Sequence, residues 1–152
     1  MKKITFLLLT VFALIACDSA EKENTRNSMK DKSAHSRLDK QQIEKARTFL
    51  KAEAKAAHQQ LAGKQVDMAT VSDGCKFKND NICYYYIVDE DQVSIASMEA
   101  NRDAIENNLR AMLENMPATK PLIDNLKILD GKVIYQYKGS DTGKTMEIEL
   151  EF

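Results

Sequence analysis

The chain has 152 residues, with 22 basic and 23 acidic side chains, a formal net charge of −1, and 43% apolar residues. That length builds one domain with a modest core rather than two independent ones. The charges are interspersed and no basic stripe with interleaved aromatics occurs, so no nucleic-acid partner is expected.

The chain opens with Lys2 and Lys3, continues through an apolar run from Ile4 to Ile15 broken only by Thr5 and Thr10, and ends this segment at Ala16-Cys17. A basic head, an apolar middle and a small-residue end form the layout of a secretory signal peptide. The run falls short of the roughly 20 apolar residues that cross a bilayer, so residues 1–16 are expected to be removed. The four residues Leu14-Ile15-Ala16-Cys17 resemble the lipobox of bacterial lipoproteins. The resemblance covers residues 1–17 and implies diacylglycerol on the Cys17 sulfur, cleavage before Cys17, and acylation, as by palmitate, of its new amino group. Several acyl chains hold a protein stably where one binds reversibly. The expected location is therefore the bacterial cell envelope, with the domain periplasmic and Cys17 in a membrane. Asp18 after the cysteine resembles the inner-membrane retention signal of enterobacterial lipoproteins, but that rule varies between bacteria, so inner and outer membranes are both open.

Removing Lys2 and Lys3 takes the basic count from 22 to 20 against 23 acidic residues, a formal charge of −3. Residues 17–38 comprise the lipidated cysteine and a stretch of Glu, Lys, Asn, Ser, Asp and Arg too polar to offset its ordering entropy. They read as a disordered tether reaching about 25 Å on average. A single globular domain is expected over residues 39–152. Asp39-Lys40-Gln41-Gln42 has capping-box spacing, and Ile43, Ala46, Leu50, Ala54, Ala57 and Leu61 follow at helical intervals up to Gly63. A helix from about Gln41 to Ala62 is predicted, with Lys51, Glu53, Lys55 and Gln59 outward. Its alanine face suits close packing on a flat partner such as a sheet.

Cys75 to Lys78 and Ile82 to Val88 flank the turn formers Asn79-Asp80-Asn81 and predict a β-hairpin. Val93 and Ile95 suggest a short third strand. A second amphipathic helix is expected from about Ser97 to Met116, carrying Met98, Ile105, Leu109, Met112, Leu113 and Met116 on one side. Pro117 and Pro121 then allow at most a short helical turn around Leu122 and Ile123. Leu126 to Tyr137 repeats the hairpin pattern around Asp130-Gly131, and Thr145 to Phe152 alternates as a strand with one buried face. The fold class is α+β: an antiparallel sheet of β-hairpins packed against two amphipathic helices on one face. A shift of 51 residues lays Ile82, Tyr84 and Tyr86 on Val133, Tyr135 and Tyr137. This suggests two tandem helix–hairpin–strand repeats, although any helix followed by a hairpin produces part of the match.

Cys75 and Cys83 are the cysteines left after lipidation, and an exported chain meets an oxidising compartment where they are expected to pair. A two-residue turn would set Phe77 against Ile82 and Cys75 against Tyr84, pointing Cys83 to the opposite face. A disulfide therefore needs an odd-length loop or a bulge; without one, both thiols remain as small apolar residues. Of the three consecutive tyrosines, Tyr84 and Tyr86 share the Phe77 face and belong under a helix. Tyr85 points the other way and is the candidate for binding.

Gly139 to Thr145 has only three residues between its glycines and is followed by a strand, so it reads as a turn rather than a phosphate loop. His35 and His58 lack companions at metal-ligand spacing, and no nucleophile–base arrangement appears. Asp89-Glu90-Asp91 reads as a solvated loop, and the methionines of the second helix as core filling. No cofactor and no catalytic residue are expected. The function expected is a non-enzymatic, membrane-anchored domain that binds or helps assemble an envelope protein. Alternatives are an immunity or inhibitor protein against a toxin or lytic enzyme, and a carrier of a small apolar ligand.

Overall fold

The structure is a computed structural model that describes the backbone of residues 32–152 and the side chains from residue 39 onward. Cys17, the signal segment and the tether up to residue 31 lie outside the described residues. The elements are α1 (Lys32–Leu61), β1 (Thr70–Lys78), β2 (Asn81–Val88), α2 (Ile95–Ala100), α3 (Arg102–Asn115), a 3-10 turn (Pro117–Thr119), α4 (Lys120–Leu129), β3 (Val133–Gly139) and β4 (Thr145–Leu150). The strands form one sheet in the order β1-β2-β3-β4.

The fold is α+β, as the patterning predicts, but the sheet is mixed. Both outer pairs are antiparallel hairpins, while β2 and β3 run parallel at the centre. Parallel neighbours need a long crossover, and the chain supplies one through α2, α3 and α4. The expected hairpin around Asp130-Gly131 is therefore absent. Asp130, at φ 53°, ends α4 in the left-handed conformation, with its own N–H and that of Gly131 donating to the last carbonyls of the helix. The same dipeptide chemistry serves a turn and a helix C-cap. Pro121 lies in the first turn of α4, where a missing N–H costs nothing, so it starts a ten-residue helix instead of preventing one.

Three further boundaries differ from expectation. Helix α1 begins at Lys32, so residues 32–38 extend the helix rather than the tether; this segment has neither Gly nor Pro, and Asp39 does not interrupt it. Val93 and Ile95 form no strand: the Ser94 hydroxyl accepts the Ser97 N–H and caps α2, turning Ile95 and Met98 into the core. The second long helix is split at Asn101, whose backbone N–H closes α2 and whose side chain donates to the Ser97 carbonyl.

All four helices lie on one face of the sheet. Ala46, Leu50, Ala54 and Ala57 bury the flat side of α1, and the strands supply Ile82, Val88, Val133, Met146, Ile148 and Leu150. The alternation along β4 is complete, with Met146, Ile148 and Leu150 buried and the residues between exposed. The 51-residue shift is the register of the parallel pair, since Ile82, Tyr84 and Tyr86 stand beside Val133, Tyr135 and Tyr137. The same shift lays β1 on α4 and α2 on β4, so two equivalent repeats are not formed. Like residues at like heights are what two parallel strands in one layer require.

Both sheet edges are partly covered. Gln65 bridges to Val71 beside the first half of β1, with Ser72 donating to the Lys64 carbonyl and Val66 to Thr70. At the other edge, Arg102 and Arg110 of α3 donate to the β4-side carbonyls of Glu147 and Glu151, both at 2.6 Å. Guanidinium groups on those carbonyls oppose addition of another strand.

Candidate functional site: the open face of the sheet

With the helices all on one side, no element among the described residues covers the other face of the sheet. Strand alternation decides what stands there: Lys76 and Lys78 from β1, Cys83, Tyr85 and Ile87 from β2, Ile134, Gln136 and Lys138 from β3, and Glu147 and Glu149 from β4. Tyr85 stands at the middle of this face, as its position in the alternation predicts. Lys76 Nζ lies 5.3 Å from its ring centroid, a cation–π contact that holds the phenol against the sheet. Ile87 is 41% and Val71 38% exposed, and with the nearly bare Met68 they border a shallow cleft of about 230 Å³ at one end of the face. Across the face, Gln136 Nε2 donates to Glu147 at 3.3 Å, and Lys132 Nζ bridges Glu149 and Glu151 at 2.8 and 2.7 Å. Toward the β1–β2 turn the face thus runs from basic on β1, with Lys76 and Lys78, to acidic on β4, with Glu149, while Lys138 adds a base at the opposite end of β3.

The inner face holds the other tyrosines. Tyr84 stacks on Tyr135 and Tyr86 on Tyr137, each with centroids 5.2 Å apart, and Tyr86 also stacks on Tyr135 at 6.3 Å. These rings fill the space between sheet and helices above the parallel pair.

The two cysteines are unbonded. The hairpin turns through two residues, Asn79 and Asp80, both at positive φ, so Cys75 pairs with Tyr84 and Cys83 with Lys76, and their side chains point to opposite faces. A bulge does occur in β1, between Ser72 and Gly74. It lies beyond Cys75 from the turn and leaves the relation between the cysteines unchanged. Burial pushes the Cys75 thiol up to about 12, so it stays protonated at physiological pH.

Residues without a sequence signature of their own hold the ends of the sheet. Asp80 receives a two-pronged pair from Arg47 of α1, Nε to Oδ1 and a terminal nitrogen to Oδ2, both 2.9 Å. Asn81 Oδ1 accepts the Lys132 N–H at 2.8 Å, tying the first hairpin to the start of β3. His58, exposed on α1, accepts the Cys75 N–H on Nδ1 at 3.4 Å.

The loop after β3 shows its chemistry only in three dimensions. Its amides gather around the Glu90 carboxylate, which accepts the Thr142 N–H at 2.7 Å, the Asp141 N–H at 3.1 Å and the Thr142 hydroxyl at 3.0 Å. Glu90 thus fills the concavity of that turn, and it is a clasp rather than part of a merely solvated loop. The Thr142 N–H foremost, then its hydroxyl and the Asp141 N–H, hold the Glu90 carboxyl below its usual range. A lowered folded-state value stabilises above the unfolded value of about 4.3 and is lost as pH falls through the folded value. Glu90→Gln should therefore lower the Tm near neutral pH, and its deficit against wild type should close as melts are taken down through and below pH 4. A deficit that stays constant with pH would show that the charge does not hold the loop.

A second cleft, of about 430 Å³, lies outside the core between α3, α4 and Phe152, lined by Leu113, Met116, Ile123 and Phe152 together with Glu114, Lys120 and Lys127. Among the described residues no group of three His, Cys, Asp or Glu side chains is placed to hold a metal, and no helix is long and apolar enough to cross a membrane.

No protein-family model matches the chain, and no curated protein matches it. The fold is similar to the crystal structure of a candidate secreted protein from Pseudomonas aeruginosa, with a TM-score of 0.61 and 11% sequence identity over 72% of this chain and 92% of that one. At that identity the likeness is one of fold.

Proposed function

We propose that the chain is a lipid-anchored protein of the bacterial envelope whose α+β domain binds another protein, without catalysis, through the open face of its sheet. The observation that carries this reading is that face, uncovered by any described helix, with a half-buried tyrosine at its centre and apolar residues beside it. Contiguous apolar surface rimmed by charge is the ordinary make-up of a protein-binding patch, and tyrosine offers rigid contact area with a polar tip. The lipobox resemblance supplies the location, since an anchor at Cys17 raises the effective concentration of the domain near envelope partners. The tyrosine stacks occupy the layer between sheet and helices where a carried apolar ligand would sit, which favours protein binding over ligand carriage.

Two measurements test the proposal. Cells grown with labelled palmitate should label the wild-type chain and not Cys17→Ser; equal label on both would remove the anchor. A photo-crosslinking phenylalanine analogue at position 85 should capture a discrete protein partner in intact cells, whereas the analogue at position 59, on the outward side of α1, should not. No capture from position 85, or equal capture from both positions, would remove the sheet face as the binding surface.

A further inference from the structure

The open face is complementary to itself, and we infer that its partner is a second copy of this chain, packed face to face about a two-fold axis parallel to the strands between β2 and β3. This rests on the proposed binding role of that face and gives its partner an identity. The sheet register places residues of equal height in rows. One row reads Lys76, Cys83, Ile134, Glu149 from β1 to β4, and the row at the turn end begins with Lys78 and ends beside Glu151. Rotation by half a turn about an axis along the strands preserves height and reverses the order across the sheet. The β1 of each copy then lies over the β4 of the other.

In that arrangement Lys76 meets Glu149 of the partner subunit, and Tyr85 meets Gln136 of the partner subunit. Lys78 meets Glu151 of the partner subunit in the next row. Each contact occurs twice, as a two-fold interface requires. Lys132 of the same chain draws on one oxygen of each glutamate, yet the Glu149 and Glu151 side chains keep 47% and 73% of their exposure, so both carboxylates stay within reach of a second cation. Sheets packed face to face stand about 10 Å apart, and in the row beyond Tyr85 the Ile87 side chain of each copy lies over the apolar stem of Lys138 of the partner subunit. Within these two rows the property comes from having a base on one edge strand and an acid at the other edge.

The test is a charge exchange on the full lipidated chain in non-ionic detergent, read by sedimentation velocity. Wild type should sediment as a dimer at micromolar concentration. Lys76→Glu and Glu149→Lys, each placing like charges at both symmetry-related contacts, should raise the dissociation constant about tenfold or more. An equimolar mixture of the two variants should recover the dimer, because every contact in the mixed pair again joins opposite charges. Should either variant fail to fold by circular dichroism, Lys78→Glu with Glu151→Lys makes the same exchange one row away. A wild type that stays monomeric, single variants that dimerise as wild type does, or a mixture that stays monomeric overturns the inference. Capture of only a different protein from position 85 would remove the second copy while leaving the binding role standing, and no capture at all would remove both.

Discussion

Tyr135→Ala should cost the domain about 3–5 kcal/mol of stability, the largest loss expected from any of these substitutions. Tyr135 is 3% exposed and stands on a central strand, and its ring stacks on both Tyr84 and Tyr86. Removing it deletes a large buried apolar surface, leaves Tyr84 without its partner across the parallel pair and leaves Tyr86 stacked on Tyr137 alone. The surroundings have little freedom to collapse into the gap, because Leu126, Val133 and Ile148 nearby in the core are fully buried. Urea unfolding of wild type, Tyr135→Ala and Tyr135→Phe measures the effect. The phenylalanine variant keeps the ring and should lose much less; a loss as large as that of alanine would place the energy in the hydroxyl rather than the stack.

Gly74→Ala should cost about 3 kcal/mol for two separable reasons, which makes it the second large effect. Gly74 follows the β1 bulge at φ 107°, a conformation that residues with a Cβ rarely adopt. A Cβ there would also stand 2.1 Å from His58 Nδ1 and 2.7 Å from its Cε1, inside the ring that accepts the Cys75 N–H. A double-mutant cycle with His58→Ala separates the two terms. In the His58→Ala background the clash is gone and only the backbone strain remains, so the cost of Gly74→Ala should fall but not vanish. An undiminished cost would assign the whole effect to the backbone, and a vanished one would assign it to the ring.

Much of the local structure was legible in the residues themselves. The alanine side of α1, the two-residue turn at Asn79-Asp80, the faces of the three consecutive tyrosines and the alternation of the last strand all follow from short-range periodicity, and each has the packing that its period requires. Other local signals were ambiguous in themselves. Asp130-Gly131 suits a hairpin turn and a helix C-cap equally, because both need a residue at positive φ. Only the burial of Leu126 within a helix decided between them. Pro121 is ambiguous in the same way, because a proline breaks a helix interior but also occupies the first turn of a helix.

The open sheet face shows the division most clearly. That Tyr85 opposes Tyr84 and Tyr86, that β1 carries lysines and that the end of the chain carries alternating glutamates were all fixed by sequence, since alternation is a property of each strand alone. The membrane-anchor reading likewise depends only on residues 1–17, because such a signal is read as a linear segment. Which strand stands beside which belongs to the tertiary structure. The crossover through α2, α3 and α4 sets β3 parallel to β2, brings the basic and acidic strands to opposite edges, and leaves Glu90 against a loop about fifty residues away in the chain. Those placements depend on how the helices bury their apolar sides together on one face. That is a global condition on the whole core, which no window of neighbouring residues contains.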